Sequence, residues 1–355
     1  HDREEESGWA HWQGKRMSGR VAMQAAGIPR MILEAKEGLA LTNGATFSAA
    51  LGVLTLATAV RLLNTAEVTL SMSLEAMLGA SAAFDARLHE LRRHSGQAIV
   101  ARRVRELTQE STLIDRAGRV QDVYSLRCAP QVHGAARMAI EYASETIQNE
   151  INAVTDNPIL FGPDEALSGG NFHGEPVGMV MDHVKAALSE VAAISERRVY
   201  HLLDPKMNEG LPPMLVDRPE SAGLHSGMMM PQYTAASLVL ESQSLAFPNS
   251  VQSLPTSAGK EDHNANAMTS ARTAFQVALN CEHVLAIEAL CASRALTLRM
   301  QQFPDAQMGR GVAQAYGLIA SELPFHGPDT WWGPHMDRIR ELVAHGDLEL
   351  PSAQT

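Results

Sequence analysis

Three cysteines in 355 residues, with no Cys-x-x-Cys pair, exclude a disulfide framework and a zinc knuckle. Cys128, Cys281 and Cys291 read instead as reduced, buried thiols, which points to a cytoplasmic protein. Aromatic residues are scarce, at 5% of a chain that is 45% hydrophobic. That disfavours a β-sandwich and favours packed helices. Positive charge is outnumbered: 29 Lys and Arg face 40 Asp and Glu, for a formal net charge of −11. With no basic run to offset it, this balance excludes nucleic acid as the main partner. Long apolar runs are missing too. The longest, residues 47–60, is short for a bilayer and rich in Thr and Ser, so no membrane partner is expected. No secretory signal opens the chain; its start, His1-Asp2-Arg3-Glu4-Glu5-Glu6, is charged, is expected to fray and lacks a Met. The expectation is a processed chain or a part of a longer one. The fourteen histidines show no HExxH spacing, and His173 with Glu175 has nothing to complete a ligand set, so no metal is expected. There is no GxSxG elbow and no phosphate-loop glycine pattern.

What is present is helix. No Gly or Pro occurs from Lys260 to Phe303, and Ala and Leu dominate. Read as one helix over 262–300, this span is roughly 58 Å long. It is apolar on most faces (Met268, Phe275, Val277, Leu285, Leu290, Leu298), as a helix buried among helices must be. It becomes the post of a bundle, with Glu261 held at its polar, acidic head as a cap or a catalytic group.

Further periodic stripes predict the surrounding helices. Residues 46–80 read as buried helix. Phe84, Leu88 and Leu91 mark an amphipathic helix. Ile99, Val100, Val104 and Leu107 mark another, with Arg102, Arg103, Arg105 and Glu106 on a solvated face. Ile140, Ala143, Ile147, Ile151 and Val154 form a third stripe, and Val180, Val184, Ala187, Val191 and Ile194 a fourth. Residues 234–247 are helical up to Pro248, and a last helix spans 334–344. Residues 159–174 form a β excursion with turns. Met214 and Met228 to Met230 are core filling. Residues 1–33 are a leader with a short helix that ends at Gly27-Ile28-Pro29. The organisation is therefore a leader (1–33), a central helical-bundle domain with site loops (34–303) and a small C-terminal helical segment (304–355) whose tail, 351–355, is expected to be loose.

Between these helices lie polar segments with little periodicity. Asn43-Gly44 is a turn signal whose amide can face a cavity. In Gln121-Asp122-Val123-Tyr124-Ser125-Leu126-Arg127, Tyr124 and Arg127 are spaced i and i+3, so both side chains can point into one cavity. Arg127 suits a carboxylate clamp; a structural ion pair with Asp122 or another acid is the alternative. The Gly-rich turn Ser168-Gly169-Gly170-Asn171-Phe172-His173-Gly174 permits close backbone approach.

Taken together, five segments resemble the histidine and aromatic amino acid ammonia-lyase family, in order along the whole chain. They are residues 37–44 (EGLALTNG), 124–127 (YSLR), 155–158 (TDNP), 168–176 (SGGNFHGEP) and 254–263 (LPTSAGKEDH). The resemblance implies a mainly α, fumarase/aspartase-like fold with a central bundle of long helices. It also implies a homotetramer whose sites draw on more than one subunit. The implied reaction eliminates ammonia from an α-amino acid. Its electrophile, 4-methylideneimidazole-5-one, forms from an internal Ala-Ser-Gly, and a tyrosine acts as base. No Ala-Ser-Gly occurs in this chain. The resemblance places it, with the base, in about 150 preceding residues, a length that is a domain in itself. The missing part is then on the same polypeptide or on a second chain in a hetero-assembly.

By resemblance, Arg127 pairs with the substrate carboxylate and Asn157 lies beside it. Asn43 contacts the electrophile and substrate, Tyr124 is a second active-site tyrosine, Gln121 is a nearby polar contact, and Phe172 stacks on the site. Glu261 stands where histidine lyases place a glutamate and phenylalanine and tyrosine lyases usually place a glutamine. It can bond an imidazole N–H or accept the amine proton. L-histidine is therefore the expected substrate and trans-urocanate the product. Val123 and Ala45 depart from the usual histidine-lyase residues. The alternatives are a phenylalanine or tyrosine lyase, a 2,3-aminomutase, or a non-catalytic helical assembly subunit.

Overall fold

The computed structural model describes residues 3–323 and 329–350. The chain divides into two compact units: His1–Asn43 with Asp156–Gly169, and Gly44–Thr155 with Gly170–Thr355.

The smaller unit opens with a hairpin, β1 (Trp9–Trp12) antiparallel to β2 (Lys15–Ser18). Its two-residue turn uses Gln13 at φ 49° and Gly14 at φ 75°, the positive-φ pair that matches strand twist. The hairpin is absent from the sequence reading because both strands are largely exposed and carry no alternating apolar face. The short helix expected there is α1 (Gly19–Ala25), capped by the Ser18 hydroxyl, which accepts from the Val21 N–H at 3.4 Å. After α2 (Glu37–Thr42), the unit resumes with the expected β excursion, β3 (Ile159–Gly162) antiparallel to β4 (Glu165–Leu167).

The larger unit is a helical bundle. In order come α3 (Thr46–Ala76), α4 (Ala86–Arg92), α5 (Ser95–Leu107), the single turn α6 (Tyr124–Arg127), α7 (Ala129–Ile151), α8 (Glu175–Leu203), α9 (Met229–Leu245), α10 (Ala267–Gln302), α11 (Arg310–Ala320) and α12 (Trp332–His345). The post is α10, which packs on α8, α3, α9, α12 and α11. Every residue from Val284 to Arg299 is buried. By length and composition alone, α10 and the stretch Glu37–Ala76 are apolar enough to cross a membrane. The buried core helix of a globular protein meets the same criterion. In the fold, 78% of the apolar window of α10 is buried among other helices.

The post is not purely apolar. Glu288 and Arg198 are both 0% exposed and joined twice, Nε–Oε1 at 2.5 Å and Nη2–Oε2 at 2.8 Å. Thr69, Ser73 and Ser195 donate to the same carboxylate at 2.7–2.8 Å. Desolvating both charges is costly, and this many compensating bonds are what make such a pair tolerable. The cluster locks α3, α8 and α10 in register. Lys185, also 0% exposed, does the same for the connection after α9: Nζ donates to Phe247 O at 2.7 Å and Asn249 Oδ1 at 2.6 Å. Helices α5 and α7 cross at Gly96 and Gly134; a Cβ on Gly134 would lie 2.4 Å from Gln97 N.

Several helical expectations fail at the level of faces. Leu88 and Leu91 are 52% and 82% exposed, and only Phe84 of that set enters the core. Arg103 is buried beside Glu67 rather than solvated. Ile151 and Val154 point to solvent, and Val154 lies beyond the end of α7. The first half of α3 is partly open, with Phe47 and Leu54 exposed. Of the methionine cluster, Met228 is buried while Met214 and Met230 are exposed. A stripe predicts which residues share a face; it does not say whether another helix covers that face. The expected loose tail, 351–355, lies outside the described residues.

Candidate active site

In the larger unit, Val123 is extended and α6 begins at Tyr124. One turn brings Arg127 over the Tyr124 ring, Cζ 4.7 Å from the centroid. The stack orients a planar guanidinium electrostatically. Tyr124 is exposed and Arg127 half-buried, and Arg127 Nε is buried with no hydrogen-bond partner among the described residues. An unpaired buried donor costs free energy, and a carboxylate would satisfy it with two parallel bonds. Asp122 does not serve as that partner. It accepts from Arg119 Nη2 at 2.7 Å and from the Ala80 N–H at 2.7 Å. Gln121 is exposed and lines a cavity of about 210 Å3 with Arg119, Asp122, Lys206 and Glu209, a lining that includes neither Tyr124 nor Arg127.

Phe172 and Glu261 form a second group in the same unit. Phe172 is half-buried in the loop before α8. Gly174 and Gly178 let that loop lie against the segment before α10: a Cβ on Gly178 would stand 2.9 Å from Ala265 O. His173 Nε2 donates to His263 O at 3.0 Å, and the two imidazoles stack with centroids 5.9 Å apart. So the loop carrying Phe172 is tied to the loop carrying Glu261.

Glu261 is not at the head of the post. Asn266 adopts a left-handed conformation at φ 48°, and its amide donates to Gln252 O at 2.8 Å and Asn249 O at 3.2 Å. These bonds compete with helix, and α10 starts only at Ala267, with no acidic residue in its first turn. The helix-cap role for Glu261 is thereby excluded. Its carboxylate is exposed in a tight loop, where the Thr256 hydroxyl donates to Oε2 at 2.8 Å and the Thr256 N–H to Glu261 O at 2.8 Å. Asn264 Nδ2 braces the loop by donating to Leu254 O and to Thr256 Oγ1. No hydrogen bond, ion pair or ring contact among the described residues joins the Tyr124–Arg127 group to the Phe172–Glu261 group.

The remaining two predicted residues belong to the smaller unit, where they meet on Asp156. Asn43 Nδ2 donates to Asp156 Oδ1 at 3.1 Å, and the Asn157 N–H donates to the same oxygen at 2.7 Å. Lys36 Nζ lies 2.7 Å from Oδ2. The Lys36 ammonium first, then the Asn43 amide and the Asn157 N–H, hold the Asp156 carboxyl down at about 2. Asn157 Oδ1 accepts from Gly169 N at 2.8 Å and Ser168 Oγ at 3.1 Å.

Sequence reasoning passed over Asp156, Lys36, Thr256, Asn264 and His173 as functional groups. Asp156, His173 and Thr256 lie inside the segments 155–158, 168–176 and 254–263, which is the one signal the sequence offers for them. The others depend on loop geometry that no local pattern announces. No group of three or more His, Cys, Asp or Glu side chains is placed to hold a metal among the described residues. All three cysteines are free, and burial pushes the Cys281 and Cys291 thiols up.

Residues 6–321 match the family described as aromatic amino acid lyase. The chain belongs to that family. A histidine ammonia-lyase of Gloeobacter violaceus is 47% identical over 345 residues, 96% of this chain and 66% of that protein. One from Caldanaerobacter subterraneus subsp. tengcongensis is 48% identical over 319 residues, 89% of this chain and 61% of that protein. The chain thus spans just under two thirds of the length of these curated relatives. Among solved structures, the histidine ammonia-lyase of Trypanosoma cruzi aligns with a TM-score of 0.87 at 34% identity, covering 96% of this chain and 64% of that one. A tyrosine aminomutase of Streptomyces globisporus aligns with a TM-score of 0.89 at 30% identity, covering 96% and 68%. The helical, fumarase-like fold expected of the lyase family is therefore the fold of this chain.

Proposed function

We propose that the chain is part of an ammonia-lyase that converts L-histidine to trans-urocanate in the cytoplasm. The observation that carries this reading is Arg127: a stacked guanidinium with a buried, unpaired Nε, waiting for a carboxylate. Glu261 adds the choice of substrate, since a carboxylate accepts from an imidazole N–H where a plain phenyl ring offers nothing. The named activity of the relatives supports the same reading.

In this reading Arg127 and Asn157 bind the substrate carboxylate, Asn43 and Gln121 lie beside the amine and ring, Phe172 stacks on the reacting atoms, and Tyr124 and Glu261 handle protons. The half-buried ring of Phe172 on its glycine-rich loop suits a flat, electrophilic ring such as 4-methylideneimidazole-5-one, which would supply the sink for the amine electrons. That group is to come from an Ala-Ser-Gly segment outside these 355 residues. Residues 34–303 are then the working body, 1–33 the leader to it and 304–355 its outer support. The unlinked Tyr124–Arg127 and Phe172–Glu261 groups favour sites assembled from neighbouring copies in a homotetramer or hetero-assembly. Exposed Phe47, Leu54, Tyr142 and Leu240 on α3, α7 and α9 supply apolar surface for it.

The 0.89 TM-score to a tyrosine aminomutase favours a second reading, amino-group migration on a phenol or phenyl substrate. Ultraviolet absorbance separates the two. The natively purified protein, with any co-purifying chain, is given L-histidine, L-phenylalanine and L-tyrosine in turn. Absorbance rising with histidine alone supports the proposal, and a Glu261→Gln variant should then lose most of it. A response to tyrosine or phenylalanine alone sinks it. Silence with all three, in a preparation whose masses include the Ala-Ser-Gly segment, turns the assignment to a non-catalytic assembly subunit.

A further inference from the structure

The loop that carries Glu261 is well bonded within itself and sparsely bonded to its surroundings. Its near end is anchored. Asn249 Oδ1 accepts from Lys185 Nζ at 2.6 Å, and the Ser250 N–H donates to Asp182 Oδ2 at 2.9 Å. Both partners stand on α8. Beyond that point the bonds turn inwards. Thr256 meets Glu261, and Asn264 Nδ2 donates to Leu254 O, Thr256 Oγ1 and Glu261 O. The Asn264 N–H donates to Ser253 Oγ at 2.7 Å. Ser257 and Ala258 sit at φ 49° and 55°, a left-handed conformation that costs an L residue free energy and needs support. A loop bonded only to itself keeps its shape and still moves as a piece. Among the described residues, one hydrogen bond reaches 254–263 from outside the segment 249–266. It runs from His173 Nε2 to His263 O at 3.0 Å.

The direction of that bond is fixed. A carbonyl oxygen only accepts, so His173 Nε2 carries the hydrogen. The two imidazole planes lie 12° apart with centroids at 5.9 Å, an offset stack that adds a second contact. The His173 side is the firm one. It is followed by buried Gly174, where a Cβ would stand 3.1 Å from the Cβ atoms of Ala45 and Ala267. His173 follows Phe172 directly, and His263 lies two residues after Glu261. One contact therefore sets the spacing between Phe172 and Glu261.

We propose that His173 is a positioning residue: its Nε2–H and its ring hold the Glu261 loop beside the start of α8, and so place the Glu261 carboxylate for the imidazole of the substrate. The proposal deepens the ammonia-lyase reading and rests on it for what Glu261 recognises. Four variants of the natively purified protein test it: His173→Ala, His173→Gln, Glu261→Gln and the double variant His173→Ala with Glu261→Gln. The first readout needs no substrate. Amide hydrogen exchange over residues 252–265, followed by mass spectrometry, should quicken in His173→Ala. It should stay near the native rate in His173→Gln, whose amide keeps a donor.

The second readout is kinetic. His173→Ala should lower kcat/KM for L-histidine by ~10- to 100-fold, the scale of a small misplacement of binding groups, and His173→Gln should restore most of it. In the Glu261→Gln background the same loss of His173 should cost less than ~3-fold, because the group that it places is already gone. General structural damage would cost the same factor in both backgrounds. Exchange over 252–265 that is indifferent to His173→Ala overturns the proposal, as does an equal loss with and without Glu261. A wild-type protein that ignores histidine overturns the substrate reading alone, because the exchange rates still decide whether His173 holds the loop.

Discussion

Replacing Glu75 with Gln should make the protein more stable at pH 8 and slightly less stable at pH 5. Glu75 is the penultimate residue of α3 and is 0% exposed. Its Oε1 accepts the Gly309 N–H at 2.9 Å, which anchors the start of α11. Burial pushes its carboxyl up to about 8, and the Gly309 N–H offsets only part of that effect. The sign follows from proton counting. Between about 4.5 and 8 the unfolded chain releases this proton and the folded one keeps it, so stability falls as pH rises. The slope is about 1.4 kcal/mol per pH unit, and over the whole window the loss is roughly 4–5 kcal/mol. This contribution is complete below the unfolded value and gone once pH passes the folded one. Glutamine keeps the acceptor for Gly309 and has no proton to lose, but it adds a buried amide donor worth about 1 kcal/mol if unpaired. Urea unfolding of both proteins at pH 5, 6, 7 and 8 therefore yields curves of stability against pH that cross. Parallel curves would refute the reasoning, since they would mean that Glu75 is not a neutral group in the fold.

Glu288→Ala should cost about 3–5 kcal/mol in the same unfolding assay, because it leaves Arg198 charged, buried and uncompensated. Arg127→Met should reduce kcat/KM for L-histidine by ~10- to 100-fold through loss of charged hydrogen bonds, with little change in melting temperature. Gly134→Ala should destabilise by about 1–3 kcal/mol through overpacking against α5, since a Cβ there meets Gln97 N at 2.4 Å; an unchanged melting temperature would mean the helices separate freely. Thr256→Val should weaken histidine turnover while Thr256→Ser preserves it, if the hydroxyl that reaches Glu261 Oε2 is what orients the carboxylate.

Helix content, the post at α10, a β excursion within 159–174 and the family segments were all legible in the chain. They rest on local signals: periodicity, breakers, and residues that keep their order and spacing. The site residues were legible as identities but not as arrangements. Arg127 and Asp122 stand five positions apart with opposite charges, yet Asp122 belongs to Arg119 and Ala80 because the fold delivers those donors first. Glu261 looked like the head of a helix until side-chain bonds from Asn264 and Asn266 held the preceding loop in a non-helical path. Leu88 and Leu91 keep helical spacing and still face solvent, because no element among the described residues covers them. The sequence alone therefore determined the main helices and the family to which the chain belongs, but not the hairpin at β1 and β2. Tertiary structure decided which faces are buried, where α10 begins, that Glu288 of α10 meets Arg198 of α8, and that Asn43 and Asn157 share one carboxylate. Those outcomes depend on distances between residues far apart in the chain, up to 113 positions for Asn43 and Asp156. No local pattern encodes such distances.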